Sequence, residues 1–111
     1  MKGELTLGEN IADLGGVLIA YDAFKMTAQG KDSTKIGGFT PDQRFFLGFA
    51  QVWRGVVRPE YMRMMINTNP HSPYEFRVNG TLRNVPAFYK AWNVTEKNKM
   101  YHTPEQLVHI W

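Results

Sequence analysis

The chain has 111 residues, 43% of them hydrophobic and 14% aromatic, which argues against disorder and allows one domain of modest size. The formal charge of +3 is mild, and Lys and Arg are scattered with no basic run interleaved with aromatics, so nucleic-acid binding is not expected. There is no cysteine, which excludes disulfides and cysteine-based zinc or redox chemistry and leaves the compartment open.

In chain order, a helix is predicted from about Leu7 to Ala28. Thr6 and Glu9 have the spacing of a capping box, and Ile11, Leu14, Leu18 and Tyr21 recur at helical spacing as an apolar stripe. Glu9, Asp13, Gly16 and Ala20 fall on another face, where small residues would let a neighbouring helix come close. Residues 28–39 read as a polar, glycine-containing loop. Thr40-Pro41-Asp42-Gln43 announces a second helix, whose body Phe45–Trp53 is apolar nearly all round and is expected to be buried on several sides. Pro59 opens a third helix, Glu60 to about Asn67, ended by Asn69-Pro70.

Residues 71–83 read as loop or short extended structure, with a turn signal at Asn79-Gly80. Asn84 is placed to cap a fourth helix with Val85, Phe88, Tyr89 and Trp92 on one face. Thr103-Pro104-Glu105-Gln106 is a further capped turn. Residues 1–111 are thus expected to form one predominantly α unit with little or no strand. Every apolar stretch is broken before about 18 residues, so no membrane span is expected. Met1-Lys2-Gly3-Glu4 does not resemble a secretory leader. Four helices offer little cover for Trp53, Trp92, Trp111 and an all-apolar helix, which predicts a further packing partner.

Chemistry has few candidates. Glu9 and Asp13, four residues apart, share a helix face. They suit either a metal-binding carboxylate with a second acid steering a neighbouring ligand, or a capping glutamate and a solvated aspartate. His71 lies in the Pro-bounded loop Pro70-His71-Ser72-Pro73, as a stiffly held imidazole or as polar surface. Arg77 is either a structural cation or a fork for a carbonyl or carboxylate. His102 and His109 have no helical i, i+4 partner, and no HExxH occurs anywhere, so the usual zinc-binding helix of a metalloprotease is absent.

The segment Leu7-Gly8-Glu9-Asn10-Ile11-Ala12-Asp13-Leu14-Gly15-Gly16 resembles the E-N-I-A-D segment of the neprilysin family of zinc endopeptidases. The resemblance continues through Phe45–Trp53, Arg58-Pro59-Glu60-Tyr61, His71-Ser72-Pro73, Phe76–Leu82 and His109-Ile110-Trp111, and so covers essentially the whole chain. It implies the helical C-terminal portion of a thermolysin-like zinc peptidase catalytic domain. Its partners would be an upstream HExxH-containing part of the same protein and peptide substrates.

By that resemblance Glu9 is the third ligand of a single zinc ion. Asp13 orients the first HExxH histidine, and His71 stabilises charge on the scissile carbonyl oxygen. Arg77 holds a substrate backbone carbonyl, while Val52 and Trp53 line the pocket for a hydrophobic residue after the cut. The implied activity is metal-assisted hydrolysis of oligopeptides, with this portion inactive alone. The other reading is a standalone, non-catalytic helical binding module that keeps the family fold. An acid often found two residues before the catalytic histidine is replaced here by Asn69. Arg54, Asn93 and His109 stand where animal members often have cysteines, which suggests a bacterial homologue without disulfides. A periplasmic, cell-envelope-associated or secreted parent is expected, with a cytoplasmic one open.

Overall fold

Thr40 and Gln43 form the capping box that their spacing predicts. Gln43 N–H donates to Thr40 Oγ1 at 3.2 Å, and Thr40 N–H donates to Gln43 Oε1 at 3.0 Å. In the computed structural model, which describes residues 2–111, this box starts α3 (Pro41–Val52). The other helices are α1 (Gly3–Met26), α2 (Ala28–Lys31), α4 (Pro59–Thr68), α5 (Tyr74–Leu82) and α6 (Pro86–Trp92), followed by a 3₁₀ turn over Pro104–Gln106. The described residues contain no strand, only an isolated bridge between Ile36 and Phe39. Gly37 (φ 59°) and Gly38 (φ 83°) turn the chain there through the left-handed region. No helix among the described residues is long and apolar enough to cross a membrane.

Three local expectations are corrected. Helix α1 begins four residues before Leu7, and Thr6 lies inside it instead of capping it. Thr6 is buried, and its hydroxyl turns back toward the Lys2 and Gly3 carbonyls, so burial outweighs the capping geometry. The helix ends at Met26 because Thr27 is extended and caps α2, accepting from Gly30 N–H at 3.0 Å. A Cβ at residue 30 would fall 2.0 Å from the Phe24 carbonyl oxygen, so only glycine permits this reversal.

The stretch read as a loop over 71–83 contains α5, and the Asn79-Gly80 pair sits within it. Its Leu82 joins Leu14, Val17, Phe46 and Val85 in the core, with Val78 packed against them, so tertiary burial overrides the turn signal. Asn84 does not cap α6, whose N-cap is Val85. Instead Asn84 Nδ2 donates to the Gly80 carbonyl at 2.9 Å and Oδ1 accepts from Val108 N–H at 3.0 Å, clipping the tail to α5.

The core is built where α1, α3, α5 and α6 meet. Phe46 is the largest fully buried side chain, with Tyr21 stacked at 5.5 Å and Phe88 edge-on at 5.6 Å. Ile11, expected on the buried stripe of α1, is exposed, as is Val52 on α3. The helix expected to be buried all round is therefore covered on one side only, because within this chain it packs mainly against α6, with α2 and α1 alongside. The face with Gly16 and Ala20 is open: together with Gly48 and Val52 it lines a groove of ≈ 540 Å³. Gly15 takes the close contact instead, with Trp111 Cη2 3.4 Å from where its Cβ would lie.

The chain exposes 7737 Å², about a fifth more than the roughly 6,300 Å² expected of a folded monomer of this mass. Its radius of gyration is 15.2 Å, against about 13 Å for a compact domain of near this length. Leu7, Ile11, Ile19, Val52, Val56 and Trp111 contribute to that surface.

Polar groups lock the far end of the helix pair. Tyr21 Oη donates to Asp42 Oδ2 at 3.0 Å, and Lys25 Nζ donates to Asp42 Oδ1 at 2.9 Å and to the Gly30 carbonyl at 2.7 Å. Burial, then the bond to Asp42 and its charge, push the Tyr21 hydroxyl up to about 12. A raised folded-state value means this contribution is fully present below the ordinary tyrosine range near pH 10 and is lost as pH rises toward 12. Asp42→Asn should lower Tm by about 4–8 °C. It should also bring the Tyr21 transition, followed by absorbance titration against a Tyr21→Phe blank, only part of the way back toward 10, because burial remains.

Candidate functional site

Helix α1 carries Glu9 and Asp13 on one face, and α5 packs alongside it through the core residues Leu14, Val17 and Leu82. That packing decides the site. Arg77, one turn into α5, is brought against Asp13, where Nε donates to Oδ2 at 2.8 Å and Nη2 to Oδ1 at 2.7 Å. The two side chains are only 12% and 13% exposed, so this is a desolvated, bidentate pair. The Arg77 guanidinium also lies over the Trp53 indole, with Cζ 3.6 Å from the ring centroid. Trp53 is the C-cap of α3, so Arg77 ties three helices together.

The second pair is looser. His71 Nε2 lies 3.2 Å from Glu9 Oε2, and both side chains are close to half exposed. Asn69 receives the other side of the histidine: its Oδ1 accepts from the His71 backbone N–H at 2.8 Å and lies 3.0 Å from ring Nδ1. Both ring nitrogens therefore face side-chain oxygens, of Glu9 on one side and Asn69 on the other. Asn69 thus contacts both the backbone and the ring of His71.

Two neighbours that sequence reasoning passed over hold the His71–Glu9 pair in register. Ser72, fully buried, donates from Oγ to Asn10 Oδ1 at 2.7 Å. Asn10 Nδ2 in turn donates to Thr6 Oγ1 at 3.3 Å. Asn10 follows Glu9 and Ser72 follows His71, so adjacency to the candidate residues was the available signal. The 62-residue separation hid the contact.

The expected pocket pair is divided. Val52 lines the open groove beside Asp13, while Trp53 turns the other way, toward α5. His102 and His109 are not gathered with Glu9. Among the described residues no group of three or more His, Cys, Asp or Glu side chains is placed to hold a metal ion. His102 is tied to Tyr89, whose Oη accepts its backbone N–H at 2.7 Å, and burial with the Arg83 charge lowers its imidazole. Glu9 is thus a single carboxylate donor, and the four-coordinate sites that zinc favours need more than one.

Glu9, Asp13, His71 and Arg77 thus meet where α1 and α5 adjoin. The model of peptidase family M13 matches residues 1–108. Human membrane metallo-endopeptidase-like 1 is 40% identical over all of this chain, which spans 14% of that protein. Human neprilysin is 41% identical, again over the whole chain and 15% of the relative. The inhibitor-bound crystal structure of the Mycobacterium tuberculosis zinc metalloprotease Zmp1 superposes with a TM-score of 0.94 at 44% identity, covering 100% of this chain and 17% of that one. The chain belongs to peptidase family M13, and it spans about a seventh of the length of the curated relatives it matches.

The buried pair has a measurable consequence. Arg77→Met leaves the Asp13 carboxylate desolvated and unpaired, and should cost about 3–5 kcal/mol in denaturant unfolding. The double variant Asp13→Asn/Arg77→Met should regain part of that loss. Strict additivity of the two single changes would contradict the coupling.

Proposed function

We propose that this chain is the C-terminal part of a zinc-dependent endopeptidase that hydrolyses peptide bonds in oligopeptides, with Glu9 as the third zinc ligand. The observation that carries this reading is the juxtaposition of Glu9–His71 and Asp13–Arg77 on adjoining turns of α1, in a chain matched almost throughout by the M13 family. Glu9 suits the role because its carboxylate is half exposed at the open side of the helix. The remaining ligands fit the two histidines of an HExxH helix supplied by an upstream part of the same protein. The groove along Ala12, Gly16 and Ala20 is the face offered to that part, since the small residues permit close approach of another helix.

Zinc, when bound, polarises the scissile carbonyl and activates water. The chain's own residues then do the following. With Glu9 held as a zinc ligand, the His71 Nε2–H would be free to donate to the oxygen that gains charge in the transition state. Asn69 Oδ1 lies against the imidazole Nδ1, and the Ser72–Asn10 bond ties the same loop to α1. Asp13 orients the first HExxH histidine while its charge is balanced by Arg77. Arg77 spends Nε–H and one Nη2–H on Asp13, so the Nη1 hydrogens remain to bind a peptide carbonyl. Val52, exposed on the groove wall beside Asp13, contributes apolar surface for the residue after the cut. Without its histidine partners the chain alone is inactive.

Two substitutions in the full-length protein test these roles. Glu9→Ala should lose bound zinc by elemental analysis and reduce peptide hydrolysis to background, while the isolated 111-residue chain holds no stoichiometric zinc. Near-normal zinc and turnover in Glu9→Ala would remove the ligand assignment. His71→Ala should keep its zinc and lose about 10²–10³-fold in kcat, the range for an oxyanion-stabilising donor. An unchanged kcat would count against the role of His71.

A further inference from the structure

The ion pair to Asp13 fixes one edge of the Arg77 guanidinium, and the indole of Trp53 beneath it fixes the tilt of its plane. What fixes the indole is less obvious. Its Nε1 is buried and takes no hydrogen bond among the described residues, so the ring is held by packing alone. One contact stands out. Tyr74, at the first position of α5 and one turn before Arg77, brings its ring to 6.3 Å from the Trp53 indole, tilted by 33°. Tyr74 and Arg77 therefore meet the same indole from the same helix. The space for the Tyr74 ring comes from Gly55: a Cβ there would lie 2.8 Å from Tyr74 Cε2 and 3.0 Å from Cδ2. Any side chain at residue 55 would push the ring away.

We propose that Tyr74 is a positioning residue that acts through Trp53 to set the plane of the Arg77 guanidinium. It thereby directs the Nη1–H donors toward the substrate carbonyl. The proposal rests on the reading of Arg77 as a carbonyl-binding residue. The ring is the working part, since the Tyr74 hydroxyl makes no hydrogen bond among the described residues. Gly55 completes the device by leaving the ring its place. Because a backbone carbonyl is held in both ground and transition states, misalignment of Arg77 should weaken substrate binding more than it slows the chemical step.

The test uses the zinc-loaded, full-length protein that contains this chain, with a peptide substrate. Arg77→Ala serves as the reference and should raise KM. Tyr74→Ala should raise KM about threefold to tenfold, the scale of a lost ring–cation arrangement, with kcat changed less than about twofold. Tyr74→Phe should restore the wild-type KM. Gly55→Ala should raise KM in the same direction as Tyr74→Ala, and it carries the test if Tyr74→Ala fails to fold. In the Arg77→Ala background, Tyr74→Ala should add nothing.

Wild-type KM in Tyr74→Ala and Gly55→Ala, with Arg77→Ala impaired, overturns the proposal and leaves the Arg77 reading intact. Independent, additive effects of Tyr74 and Arg77, or a Tyr74→Phe variant as impaired as Tyr74→Ala, also overturn it. An Arg77→Ala variant with wild-type KM overturns the Arg77 reading, and the role of Tyr74 with it.

Discussion

The desolvated pair between Asp13 and Arg77 is the constraint around which the rest of this chain is arranged. A carboxylate and a guanidinium removed from water are tolerated only when each satisfies the other with good geometry, and the two short bonds here do that. The pair acts with the packing of Leu14, Val17 and Leu82 to hold α5 against α1, and it keeps Arg77 over Trp53. It also places the His71 loop, which enters α5 through Pro73, above the Glu9 turn.

A second theme is incompleteness. The buried hydrophobic core is small, Leu14, Val17, Phe46, Met65, Leu82 and Val85, while larger apolar side chains remain at the surface. The excess area includes the open groove between α1 and α3, which leaves Asp13, Gly16 and Val52 on an uncovered face. The M13 membership and the small share of each relative's length that this chain spans accord with that geometry.

Much of the fold was legible from residue patterns. The Thr40–Gln43 box, the proline starts of α3 and α4, and the near absence of strand all follow from local chemistry. The errors share a cause. Thr6 has the right spacing for a cap but is buried mid-helix. Asn79-Gly80 has the composition of a turn but lies in a helix whose Leu82 is needed in the core. Asn84 has the right type for a cap but serves the tail. In each, burial or a tertiary contact outweighed the local signal.

The candidate site divides along the same line. The sequence by itself determined the membership: the ordered motifs around Glu9, Trp53, His71 and Arg77 pointed to one family, because the residue types at those spacings are specific and local. It also determined that no HExxH is present, which is a matter of composition. Only the tertiary structure decided which residues pair: Asp13 with Arg77, Glu9 with His71, Ser72 with Asn10, and Trp53 with Arg77 and Tyr74. Those partners stand up to 64 residues apart. Spacing along a chain fixes neighbours within a helical turn, whereas contacts between helices depend on how their apolar faces are buried together.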